Sequence, residues 1–256
     1  MLWDVQEEGI LARFRVEEGS YQQVQFTRDE KLMINSRGNL MFWDIQEQVL
    51  QRTAIENVSV MSLDGNFVVS GNEPAGHTDI RTADQGIVAR LSTDKDAEAW
   101  AISPDLTLLA VAYTWPEPQR IEIWNVTEGK IQATLPSSIG SRSCASFSPD
   151  GKLFACASID GKNASLFDTE TGKLRGKFGP LRGPVWCLAF SPSGKTLAVG
   201  GEVGEIHWWD VATGGQHGAI EDGAIWGVTA VAFSPDGSRL AIGDGDGSIK
   251  LIPIAE

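Results

Sequence analysis

The sequence predicts an all-β chain built from a repeated four-stranded sheet, on three observations. A short strand that ends in an aromatic residue followed by an acidic or amide residue recurs along the whole chain: Leu2-Trp3-Asp4-Val5, Phe42-Trp43-Asp44-Ile45, Ile123-Trp124-Asn125-Val126, Leu166-Phe167-Asp168 and Trp208-Trp209-Asp210-Val211. A second mark keeps step with it: Phe147-Ser148-Pro149-Asp150-Gly151, Phe190-Ser191-Pro192-Ser193-Gly194 and Phe233-Ser234-Pro235-Asp236-Gly237. No stretch carries a sustained 3.6-residue apolar period, so no helix is expected.

The elements follow in order within each unit. An alternating apolar run comes first, as in Val228, Val231 and Phe233. The Ser-Pro-Asp-Gly mark then supplies hairpin-turn chemistry, with Pro fixing φ and Gly accepting a left-handed backbone. A second apolar strand follows, as in Leu240-Ala241-Ile242, then a Gly-rich turn such as Asp244-Gly245-Asp246-Gly247, then the marker strand. Weaker copies of the turn are Phe26-Thr27-Arg28-Asp29, Met61-Ser62-Leu63-Asp64-Gly65 and Ile102-Ser103-Pro104-Asp105, and degenerate markers are Ile80-Arg81-Thr82 and Leu251-Ile252-Pro253. The markers at 3, 43, 81, 124, 167, 209 and 252 are spaced 40, 38, 43, 43, 42 and 43 residues apart. Six complete units are read at 20–48, 58–86, 97–129, 143–172, 185–214 and 228–254, each closed by its marker strand as the fourth. Leu2–Gln6 stands ahead of them as a lone marker strand.

The pattern resembles the WD-repeat (Trp-Asp repeat) β-propeller family, whose unit is about 40–45 residues and four strands. The resemblance covers the whole chain and is strongest from Ala97 to Ile254. It implies one propeller domain over residues 1–256, with six complete blades plus the lone N-terminal strand. A single four-stranded sheet cannot bury both faces, whereas blades around a ring bury one another. The family's Gly-His pair before the first strand is missing; Pro180-Leu181 and Gly223-Ala224 stand nearest to it, and Gly76-His77 falls in the wrong register. The buried polar network built on that His is therefore not expected, and apolar packing is expected to hold the blades together. Six units of four strands plus one strand make 25, where a seven-bladed ring needs 28. The expectation is a chain that begins inside a blade of a longer parent. The alternative is a closed ring of six with Leu2–Gln6 added outermost on the last blade.

Composition limits the function. The 34 acidic and 21 basic residues give a net charge of −13, against general binding of nucleic acid or anionic membranes. No apolar run approaches the roughly 20 residues of a membrane span. The opening Met-Leu-Trp-Asp-Val has no signal-peptide character, and three Cys make no disulfide framework, so a cytoplasmic protein is expected.

Chemical motifs have plainer readings. Ala189–Thr196 matches a permissive phosphate-loop pattern, but Leu197-Ala198-Val199 behind it reads as a strand where such a loop needs a helix. Asp244 and Asp246 lack the remaining ligands of a calcium loop. His77, His207 and His217 are scattered and no Cys-x-x-Cys occurs, so no metal site is expected. Cys144 and Cys187 fill a small-residue slot that holds Ala99 and Ala230 in other units. Asn57, Asn125 and Asn163 head formal glycosylation triplets, chance matches without a secretion signal. No Gly-x-Ser-x-Gly elbow occurs and no catalytic residue, cofactor or metal is assigned.

The tryptophans divide by register. Trp3, Trp43, Trp124 and Trp209 are markers, and Trp100 takes an apolar slot shared with Leu188 and Val231. Trp115, Trp186 and Trp226 have no slot in the repeat. The resemblance implies that the residue four before the repeated Phe points to the top face near the channel, which selects Gln22, Asn57, Glu98, Ser143, Trp186 and Thr229. Aromatics in such a place are typical partner anchors. Trp186, Thr229, Glu98, Ser143, Trp226 and Trp115 are therefore the candidate contacts for a protein or peptide partner, and the chain reads as a non-catalytic interaction scaffold. The alternatives are a sensory propeller domain of a larger protein such as a kinase, and an enzyme-type propeller with a hydrolytic site at its channel.

Overall fold

The computed structural model describes residues 2–4, 9–12, 21–26, 31–36, 38–47, 49–53, 55–62, 67–72, 76–82, 86–94, 97–113, 119–136, 144–157, 161–220 and 227–254. The first blade holds β3 (Tyr21–Phe26), β4 (Lys31–Ser36), β5 (Asn39–Asp44) and β6 (Val49–Arg52). The second holds β7 (Val58–Met61), β8 (Phe67–Asn72), β9 (His77–Thr82) and β10 (Ile87–Leu91). The third holds β11 (Glu98–Ile102), β12 (Leu108–Tyr113), β13 (Arg120–Asn125) and β14 (Lys130–Pro136). The fourth holds β15 (Ala145–Phe147), β16 (Leu153–Ala157), β17 (Ala164–Asp168) and β18 (Leu174–Phe178). The fifth holds β19 (Val185–Phe190), β20 (Thr196–Gly201), β21 (Ile206–Asp210) and β22 (Gln216–Ile220). The sixth holds β23 (Val228–Phe233), β24 (Arg239–Asp244) and β25 (Ile249–Pro253). Each blade is an antiparallel meander, and the first strands succeed one another from β3 through β7, β11, β15 and β19 to β23, which is the arrangement of a β-propeller with six blades.

Two details differ from the sequence reading. The strand read as lone, β1 (Leu2–Asp4), pairs with β2 (Gly9–Ala12) in a two-stranded sheet of its own and not with β25. The marker strand is the third of its sheet, not the fourth. The fourth strand lies at the outer edge, and its polar sequences, such as Leu-Arg-Gly-Lys-Phe in β18, lack the alternation of a half-buried strand. What folds the chain back into it is the residue after the marker. Asp44, Asn125, Asp168 and Asp210 each accept a backbone N–H two or three residues on, from Gln46 and Glu47 (3.0 Å each), Glu128 (2.9 Å), Thr171 (2.9 Å) and Thr213 (2.7 Å). Such Asx turns reverse the chain. In the sixth blade Pro253 stands in that place, and no fourth strand is described there.

The Ser-Pro-Asp-Gly mark folds as expected. Ser148 and Ser234 donate their hydroxyls to Asp150 and Asp236 at 2.7 and 2.5 Å and accept the N–H of Leu153 and Arg239 at 2.9 and 3.0 Å. Gly151, Gly194 and Gly237 take φ of 70°, 72° and 73°; in the third blade Leu106 adopts the same turn at φ 63° without the benefit of glycine. The Ser234 hydroxyl, then the backbone N–H and hydroxyl of Ser238, pull the Asp236 carboxyl from 3.8 down to about 2. A carboxyl depressed in the folded state contributes stability above its unfolded pKa and loses it as pH falls through its folded pKa. The protein is therefore expected to lose stability between about pH 4 and pH 2, and Asp236→Asn to lose less over that interval. Urea midpoints for both proteins across the range test this; parallel curves would contradict it.

The core is a series of matched faces. From the third blade to the fifth, each sheet presents mainly small residues on its central rows to its successor, which meets them with large ones. The first two blades instead meet their successors with large residues, Met33 and Leu40 in the first and Val60, Val69 and Ile80 in the second. Ala101, Ala110 and Ala112 of the third blade meet Phe147, Phe154 and Phe167 of the fourth. Ala155, Ala157 and Ala164 of the fourth meet Leu197, Val199 and Trp209 of the fifth. Cys187 and Ala198 of the fifth meet Val228, Leu240 and Ile242 of the sixth. Small against large lets sheets interdigitate at interior packing density.

Candidate functional site

Trp186 occupies a β-bulge. The pairing of β19 with β20 skips it, from Val185 opposite Gly201 to Cys187 opposite Gly200. The same interruption falls on Thr229 in β23, Gln22 in β3, Ser59 in β7 and Trp100 in β11. Bulges re-aim side chains at sheet ends, and these lie at the end of the inner strand where the second strand leaves and the third returns. The loop ahead of Trp186 is tied down on both sides. Leu181 and Val185 donate their N–H groups to Lys162 and Gly161 of the fourth blade, at 2.8 and 2.5 Å, and Glu202 donates to Pro184 at 2.8 Å. Glu205, 2% exposed, accepts the N–H groups of Arg182 and Gly183 at 2.6 and 3.0 Å. The half-buried Trp186 ring reaches Gly227, whose φ of 71° and close approach to the Glu202 carbonyl leave no room for a side chain. Around this rim Pro184, Glu202, Val203 and Thr229 are exposed. It is a firm, partly apolar ledge at the junction of the fifth and sixth blades.

The other candidates distribute differently. Thr229 is exposed and donates its hydroxyl to the Gly243 carbonyl at 3.3 Å. Glu98 is exposed at the start of β11, two residues before that strand's bulge. Asn57 precedes β7 with φ 56°, its carbonyl bound by the Gly71 N–H. Ser143, Trp226 and Trp115 lie outside the described residues. Thr229 and Trp186 thus sit at the same bulge in neighbouring blades, and Glu98 does not share it.

Buried charges are what the sequence reading missed. Asp79, 1% exposed, is gripped by Arg90 through Nε and Nη2 at 2.6 and 2.9 Å and by Arg81 at 2.7 Å. The Arg90 hydrogen bond outweighs burial and holds its pKa below the usual carboxylate range. Glu122 accepts Tyr113 Oη at 2.9 Å, Trp124 Nε1 at 3.0 Å and Arg120 Nε at 2.8 Å. Arg120 continues to Asp94 at 2.8 Å, in the connection from the second blade, and lies 3.8 Å over the Tyr113 ring. These polar clamps lie within the second and third blades, and the Arg120–Asp94 pair fastens the connection between the two, while the contacts from sheet to sheet are apolar. A signal was present: the residue two before the marker is polar at Asp79, Glu122, Ser165 and His207. His207 Nε2 lies 3.7 Å from Glu205, and burial lowers its pKa, which favours the neutral imidazole.

The remaining motifs fall into the scaffold. Lys195 sits in the hairpin turn between β19 and β20, with no helix N-terminus behind it. Cys144, Cys156 and Cys187 are free thiols, and burial pushes Cys156 and Cys187 up to about 12. Among the described residues no group of three or more His, Cys, Asp or Glu could hold a metal ion, and no helix is long and apolar enough to cross a membrane.

Known proteins place the chain. Residues 129–162, 172–210 and 221–252 match the family described as WD domain, G-beta repeat. No curated protein sequence matches. A chain in the crystal structure of the mitotic checkpoint complex is similar in fold, with a TM-score of 0.75 and 17% identity over 99% of this chain and 81% of that one. In all, 1675 solved chains match, a breadth that makes the fold alone silent on partner and pathway.

Proposed function

On the premise that this is a WD-repeat protein in sequence and in fold, we propose that it is a non-catalytic scaffold which binds a protein or peptide segment at the Trp186 ledge. The observation that carries the reading is the bulge, which sets a half-buried tryptophan behind a loop hydrogen-bonded to the fourth blade, to Glu202 and to Glu205, with Val203, Pro184 and Thr229 exposed beside it. A rigid aromatic with an apolar body and a polar tip is the usual anchor of a protein interface, and pre-ordering of its loop lowers the entropy cost of binding. Glu202 and the net charge of −13 favour a partner segment with basic residues at its margin.

The test places a photo-crosslinking residue at Thr229 in cells. An adduct with a discrete polypeptide is expected, and Trp186→Ala should abolish it while leaving the melting temperature nearly unchanged. If Trp186→Ala instead costs more than about 3 kcal/mol of stability, the side chain is core by large-to-small arithmetic and the assignment fails. An adduct that persists unchanged in Trp186→Ala moves the contact elsewhere.

A further inference from the structure

The sixth blade carries an interface face with nothing described against it. On the covered faces of the third, fourth and fifth blades, rows of small, small and large residues cross the first three strands. In the third blade the row is Ala101, Ala110 and Ile123; in the fifth, Ala189, Ala198 and Trp208 run beside Cys187, Gly200 and Ile206. The sixth blade repeats the pattern as Ala232, Ala241 and Leu251 beside Ala230, Gly243 and Ile249. There the pattern meets solvent: Ile249 is 67% exposed and Leu251 47%, and Ala230 and Ala232 are exposed too. Glycines at the same place make the contrast local. A Cβ added at Gly200 would stand 2.6 Å from Val228 of the next blade; one added at Gly243 would find nothing nearer than Ala230 of its own sheet, at 3.6 Å.

What such a face takes is set by its covered counterparts, where the neighbour is always the large-residue side of another blade. The two-stranded sheet supplies part of one. Trp3 pairs opposite Ile10, just as Trp43 pairs opposite Leu50, Trp124 opposite Ile131 and Phe167 opposite Leu174. In register, β1 and β2 are therefore the third and fourth strands of a further blade, and no described strand lies on the inner side of β1.

We propose that the open face of the sixth blade is the docking site of an apolar β-hairpin from a polypeptide other than residues 1–256, of the kind that forms the two inner strands of a blade. A second copy of this chain fits less well. Three strands about 17–20 Å long and 4.8 Å apart expose only a few hundred Å², short of roughly 800 Å² per partner in a stable complex. Two chains of net charge −13 also repel each other. A hairpin adds to the apolar contact a strand that can pair with the inner edge of β1, where no described strand lies, as in strand-addition complexes.

The probe is a synthetic peptide with the sequence of residues 184–202, the inner hairpin of the fifth blade, labelled and titrated into the protein. Saturable one-to-one binding with a rise in melting temperature is expected. Leu251→Asp and Ile249→Asp, both at exposed positions, should weaken it by roughly a hundredfold, the worth of one buried aliphatic side chain. To guard against self-association of the free peptide, the same hairpin is also fused ahead of Leu2 through a short Gly-Ser turn. The fusion should melt higher than the parent, and Leu251→Asp should cancel the gain. Binding or stabilisation indifferent to both substitutions overturns the proposal, as does no gain in either format. A dimer of the unmodified protein that Leu251→Asp dissolves overturns it in favour of a second copy.

Discussion

Phe154→Ala is expected to destabilise the protein by about 3–5 kcal/mol, the cost of a large cavity where the surroundings relax little. Phe154 has no exposed surface, and its ring lies 5.0 Å from that of Phe147, tilted by 59°. Both press on the alanine face of the third blade. Collapse into the cavity would require one sheet to slide on another, which the backbone ladders on either side resist. Ala110→Leu, which overfills the same interface, should cost about 1–3 kcal/mol alone and less when combined with Phe154→Ala, because the added methylenes enter the cavity. Denaturant midpoints of the four proteins measure both effects. A loss below about 1 kcal/mol for Phe154→Ala, or strict additivity of the pair, would show that the two faces are not in tight contact.

Glu122→Leu should cost about 3 kcal/mol, in the range for breaking a buried charged network by removing one member. Leucine fills the volume, so the loss is polar: the buried Tyr113 hydroxyl and Trp124 indole N–H keep no acceptor, each about 1–3 kcal/mol when unmet. Arg120 is the member that adapts, since Asp94 still receives it. Glu122→Gln retains an acceptor oxygen and should cost less than half as much. Burial, reinforced by the Glu122 hydrogen bond, also pushes the Tyr113 hydroxyl far above its ordinary pKa of 10.0. In Glu122→Gln the alkaline absorbance change of Tyr113 should move to lower pH. Equal losses for Leu and Gln would mean that the carboxylate packs but does not bind.

The period, the Ser-Pro-Asp-Gly turns and the aromatic markers were legible in the sequence because each rests on local chemistry: a proline-set hairpin, a positive φ, an alternating run. The fourth strands were not. Val49–Arg52 and Gln216–Ile220 pair at an outer edge with water on one side, so no apolar alternation marks them, and the marker strand inherited their number. The pairing of β1 with Gly9–Ala12 was missed because Gly-Ile-Leu-Ala is four residues without alternation, too short a run to read as a strand. The clamps were hidden differently. Asp79 and Glu122, flanked by Arg81 and Arg120, look like surface residues, and only the third dimension buries them and brings Arg90 or Tyr113 within reach. Of the candidate surface, the register that selected Trp186 and Thr229 was readable, because both stand at the same bulge. Glu98 broke the register because the third blade's bulge falls on Trp100. The tie of the Trp186 loop to Glu205 depends on a backbone conformation that no local pattern announces.

The notch at Gly200 bears on how such a chain grows. It is cut to the shape of Val228, and Val185 stands at the corresponding place ahead of the bulge in the preceding blade. A duplicate of the fifth blade inserted after the original would therefore meet its parent's notch with the right side chain, and would offer the sixth blade the same notch again. Unequal crossing-over at that boundary would yield a lengthened row of blades without a clash at the seam. After the third blade the same event would set alanines of the original against the leucine, valine and tryptophan positions of its copy, a different fit from the phenylalanines it now meets. Gains and losses of whole repeats are expected to concentrate where the notch and its filler already recur.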